Sequence, residues 1–70
     1  MLFGEMINKL RTNTTFEIRD EDNNKICIVE SNSKGVNPYL DCEVVQWFIY
    51  ARALFDSQPD ACVLLKEVRT

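Results

Sequence analysis

The run Val44-Val45-Gln46-Trp47-Phe48-Ile49-Tyr50-Ala51-Arg52-Ala53-Leu54-Phe55 admits two readings. Ten of its twelve residues are apolar, so periodicity alone does not separate helix from strand. Val44, Val45, Trp47, Phe48, Ile49 and Tyr50 are β-branched or aromatic, which suits the pleated surface of a strand. Against this, Asn37-Pro38 upstream has the form of a helix N-cap followed by proline at the first helical position. Ala51-Arg52-Ala53-Leu54 also favours helix. We read a strand over roughly 43 to 52.

The flanking segments are simpler. Residues 14 to 20 alternate, with Phe16 and Ile18 on one side and Glu17 and Arg19 on the other. Asp20-Glu21-Asp22-Asn23-Asn24 supplies turn residues that bond their own main chain, and Lys25 to Ser31 returns as the second strand of a hairpin. A two-residue turn at Asp22-Asn23 pairs Ile18 with Cys27 and Phe16 with Val29, leaving Ile26 and Ile28 on the opposite face; a three-residue loop swaps the faces. Residues 2 to 11 read as a helix: Leu2, Met6 and Leu10 fall four apart, Phe3 and Ile7 widen the stripe, and Lys9 and Arg11 suit its C-terminal end. Thr12 to Thr15 end it. Ser31 to Leu40 reads as loop, Asp56 to Asp60 as turn, and Cys62 to Arg69 as the last strand. The predicted fold class is α+β over one domain, residues 1–70, with an N-terminal helix on an antiparallel sheet of two hairpins (αββββ). The alternative is αββαβ.

Composition narrows the function classes. The chain has 70 residues, 46% apolar and 27% charged, with a net charge of -3. That is a globular composition at a size where stability is marginal and a staple is usual. Net negative charge speaks against nucleic acid, whose phosphates need a basic surface. No stretch approaches the roughly 18 apolar residues of a membrane helix, and the opening Met1-Leu2-Phe3-Gly4-Glu5 lacks the bases of a secretion signal, so a cytoplasmic location is expected. Cys27, Cys42 and Cys62 are odd in number and widely spaced, which is neither a disulfide framework nor a zinc pattern. Association is the staple that remains.

Candidate chemistry is sparse. The chain has no histidine, the commonest general base and partner of a nucleophile. Asp20, Asp22 and Asn24 have the opening spacing of a calcium loop. Lys25 stands where glycine is required and Ser31 where the closing glutamate belongs, so a solvated turn is the better reading. Lys34-Gly35 lacks the spacing of a phosphate loop. Cys42, between Asp41 and Glu43, is the one candidate nucleophile, with no base beside it in sequence. No catalytic residue, metal ligand or cofactor is assigned, and a non-enzyme is expected. Trp47, Phe48 and Tyr50 read as core or interface rather than a base-stacking platform, which normally sits in a basic groove.

The opening amphipathic helix, Thr15-Phe16-Glu17-Ile18-Arg19-Asp20-Glu21-Asp22, Tyr39-Leu40-Asp41-Cys42-Glu43-Val44-Val45 and the apolar last strand together resemble small uncharacterised proteins of phages and mobile elements of Gram-positive bacteria. In similar sequences the segment after the Leu-Asp-x-Glu-Val-Val run is a strand. The resemblance implies no assigned activity and carries over no functional residue. The long Trp-Phe-Ile-Tyr-Ala-Arg-Ala-Leu-Phe run departs from it and keeps the helix alternative open.

The expected function is a protein–protein interaction module, an accessory protein of phage type such as a host-defence inhibitor; the alternative is a self-associating structural subunit. Candidate interface residues are Trp47, Phe48, Tyr50, Ile26 and Ile28. Homodimerisation through a sheet face is expected because one helix of about ten residues spans only about 15 Å and covers one face. Val45, Trp47 and Ile49 would line one face of the third strand, with Val44, Phe48 and Tyr50 on the other. Whichever set the helix leaves open, a second copy would cover.

Overall fold

Residues 1–50 and 59–68 are described by the structure, a computed structural model. The alternating Thr15–Arg19 segment forms β1, and Lys25–Glu30 forms β2 beside it, antiparallel. Ile18 pairs with Cys27 and Phe16 with Val29, the register expected of the short turn. That register slips between Ile18 and Arg19, so Arg19 meets Lys25 across a longer loop. The loop is held from within. Asp20 Oδ1 accepts from the N–H groups of Asp22 and Asn24, each at 2.9 Å, and Asn23 takes a left-handed φ of 69°.

Val44–Ile49 is a strand, β3, as its β-branched and aromatic residues direct. Ala61–Leu65 is β4, shorter than the expected 62 to 69. The expected extension of β3 to residue 52, and the helix-favouring Ala51-Arg52-Ala53-Leu54, lie outside the described residues. The loop expected over Ser31 to Leu40 contains a 3₁₀ helix, Lys34–Tyr39, with Pro38 inside it rather than opening an α-helix.

The sheet corrects the expected topology. Its order is β2-β1-β4-β3, so β4 lies between β3 and β1 and runs parallel to β1. Both hairpin pairs are antiparallel as expected, but they join through a parallel seam and the sheet is mixed. The physical reason is burial. Ala61-Cys62-Val63-Leu64-Leu65 is apolar on both faces, the pattern of an interior strand. Four of its five residues are buried, as are the three central residues of β1.

The helix α1, Phe3–Asn8, is shorter than the expected 2 to 11. Leu2 is diverted into an extended bridge with Glu43. Glu5 reaches back to accept from the Leu2 N–H at 2.9 Å, half of a capping box. The next two free N–H groups, of Phe3 and Gly4, donate to the carbonyls of Cys42 and Leu40 at 2.9 Å. A Cβ on Gly4 would sit 3.1 Å from that Leu40 oxygen, so glycine permits the approach. Phe3 and Met6 point into the core, where Phe3 meets Phe16 edge to face at 5.3 Å. Ile18, Val36, Ala61, Val63 and Leu65 complete it. Leu2 and Leu10, which the stripe placed inward, are exposed.

Candidate interaction surface

One face of the sheet carries α1 and the core; the other carries side chains only, among the described residues. In β3 the register slips between Val44 and Gln46, a bulge that reverses the pleat for residues before it. Val44 therefore opposes Leu65 and turns to the core side, with Trp47 opposite Val63 and Ile49 opposite Ala61. The expectation that Val44 shares a face with Phe48 and Tyr50 is corrected by this bulge.

The sequence candidates distribute unevenly. Trp47 lies on the core side but is not among the residues packed against the core, and half of its surface (51%) is open to solvent. Val45 is 54% and Ile49 70% exposed. Phe48 and Tyr50 lie on the helix-free face and pack edge to face at 5.3 Å. Ile26 is half-buried and packs against the core, while Ile28 is exposed on the β2 margin of the helix-free face. The five candidates thus do not form one patch. Trp47 and Phe48 belong to the β3 edge, Ile26 and Ile28 to the opposite margin, and Tyr50 is engaged internally.

Tyr50 serves a polar cluster that the sequence concealed. Its hydroxyl donates to Glu17 Oε2 at 3.1 Å, and Arg19 Nε donates to the same oxygen. The Cys62 thiol approaches it at 3.9 Å. Glu17 is itself buried. Burial works to raise its pKa, but the hydrogen bonds from Arg19 and Tyr50 outweigh it, and the carboxylate stays below its ordinary value. Tyr50 is pushed up to about 12 by burial and by its bonds to Cys62 and Glu17. Strand alternation had marked Glu17 and Arg19 as outward-facing. What it lacked was the parallel seam, which sets Cys62 beside Glu17.

A groove of about 480 Å³ is lined by Pro38, Asp41, Cys42, Glu43, Lys66 and Glu67. It brings Cys42, Asp41 and Glu43 together at one rim. Burial and the charges of Asp41 and Glu67 push the Cys42 thiol up, away from the thiolate a nucleophile requires. Cys62 is likewise raised by burial, and Cys27 lies 3.3 Å from the Tyr39 hydroxyl. All three cysteines are free. In the Asp20 loop the carboxylate oxygens accept from Asp22 and Asn24, and these bonds, that of the Asn24 backbone foremost, hold its pKa low. Among the described residues no group of three potential metal ligands converges.

Exposure is concentrated on β3, where five consecutive residues from Val45 to Ile49 are exposed. Among the described residues no helix is long and apolar enough to cross a membrane. Set beside known proteins, the chain matches no family model, no curated protein and no solved structure.

Proposed function

We propose that this protein is a non-enzymatic protein–protein interaction module whose working surface is the β3 edge. The observation that carries the reading is the exposure of Val45, Trp47, Phe48 and Ile49 on one uncharged edge strand. Burying a large apolar side chain is worth about 1.5–3 kcal/mol, so covering this edge matters to a 70-residue chain of marginal stability. The resemblance to small phage and mobile-element proteins supplies the setting: a cytoplasmic accessory protein, acting by occupying a partner rather than transforming it. The high thiol pKa of Cys42 and the absence of histidine from the chain favour this reading over an enzyme.

The test is site-specific photo-cross-linking. A benzophenone side chain at position 49 should capture protein, and the same probe at position 28, on the opposite edge, should not. Equal capture from both positions, or none from position 49 in a folded chain, removes the reading.

A further inference from the structure

The geometry points to a second copy of this chain as the occupant of the β3 edge, paired antiparallel about a two-fold axis at Phe48 to make one continuous eight-stranded sheet. The inference rests on the β3 edge being the working surface. Backbone direction is its first support. Tyr50 donates its N–H to Asp60 O at 3.1 Å, toward β4. Strand alternation then turns the N–H and C=O of Trp47 and Ile49 outward, where no described residue pairs with them. With the axis at Phe48, Trp47 of each copy opposes Ile49 of the other, and both outward pairs of groups are satisfied. The bulge between Val44 and Gln46 stays outside this pairing. The two Phe48 side chains then meet as a non-hydrogen-bonded pair, the closer of the two antiparallel spacings.

Charge selects the same arrangement. Val44 to Tyr50 carries no ionisable charge at neutral pH, so two chains of net charge -3 meet along a neutral strip. Antiparallel pairing also sends the two Glu43 residues to opposite ends. They lie about 33 Å apart along the strand, well beyond the roughly 8 Å screening length at physiological salt. Stacking two helix-free faces, the form of dimer expected from the sequence, would instead press two copies of the Glu17–Arg19 pair together.

Sedimentation equilibrium at micromolar concentration tests the inference on the full chain. The unmodified protein should be a dimer. Ile49→Lys should give a folded monomer, since Ile49 is mostly exposed, and Ile28→Lys should leave the dimer intact. With Cys27 and Cys42 changed to serine, and Cys62, which stands opposite Phe48 on β4, changed to alanine, Phe48→Cys should form an intermolecular disulfide on oxidation, because the paired Cα atoms would lie about 4.5 Å apart. A dimer insensitive to Ile49→Lys, or failure of the Phe48→Cys chain to cross-link, overturns the pairing. So does a folded monomer at all concentrations. If that monomer is still cross-linked from position 49 to a different protein, the self-pairing falls and the interaction module stands. If position 49 captures nothing, both fall.

Discussion

The two edges of this sheet are built in opposite ways. β2 begins at Lys25 and ends at Glu30, and the 3₁₀ helix packs against it, with Gly35 close on Val29. Beyond its end Ser31 is buried, accepting from Thr14 N–H at 2.9 Å and donating to Asn13 Oδ1 at 3.2 Å. Charged ends and a covering element are the usual means of blunting an edge. β3 has no charge; its start carries a bulge and is bridged by the N-terminal segment, where Leu2 pairs with Glu43 and Val44 N–H donates to Met1 O at 2.8 Å, but among the described residues nothing pairs with the outer side of Trp47 to Ile49. An edge so left is a template for another strand, and the difference favours β3 as the proposed binding surface better than apolarity alone does. Ile28 is as apolar as Ile49, but it sits on the guarded edge.

The comparison can be attacked first through the centre that both edges share. Phe16→Ala, at the core between α1 and β1, should cost about 3–5 kcal/mol and leave the domain largely unfolded in chemical denaturation. A small loss there would mean that the edges, not the centre, hold the fold. Next is the tie at the β2 end. Ser31→Ala strips the part-buried Thr14 N–H of its acceptor and should cost about 0.5–1.5 kcal/mol, read as a lower urea midpoint with unchanged slope.

The polar cluster that links the two halves is sharpened by pH. Glu17 has a lowered pKa in the fold, so its contribution is complete above the unfolded value near 4.5. It is lost as pH falls through the lower folded value. The acid limb of the stability profile should flatten in Glu17→Gln. At the other end, Tyr39 and Tyr50, the two tyrosines of the chain, are each pushed to about 12. Their contribution is present below the ordinary value near 10 and lost as pH rises toward 12. Ultraviolet titration of the folded protein should show no tyrosinate near pH 10, and Tyr50→Phe should halve the late signal.

The smallest effect on the folded monomer belongs to the bare edge itself. Ile49→Ala should change its stability by no more than about 0.5 kcal/mol, measured at dilution, although the residue is central to the proposed pairing. A large monomer effect would mean that Ile49 packs within its own chain.

Local chemistry wrote several elements legibly. The β-branched and aromatic residues from Val44 to Ile49 specified a strand, because that preference resides in the side chains themselves. Phe16, Ile18 and the Asp/Asn-rich turn specified the first hairpin and the pairing of Phe16 with Val29. An α+β domain with a short N-terminal helix followed. Sheet order was not legible. β4 could have lain outside β3 as far as any local pattern showed, and only competition for the interior put its doubly apolar strand against β1. That placement created the Glu17–Cys62 neighbourhood and made β3 an edge. The bulge that moved Val44 to the core side, and the bridge that drew Leu2 out of the helix, likewise depend on partners remote in sequence. Residue type and alternation act over a few neighbours, whereas the choice of neighbouring strand is made by burial summed over the whole chain.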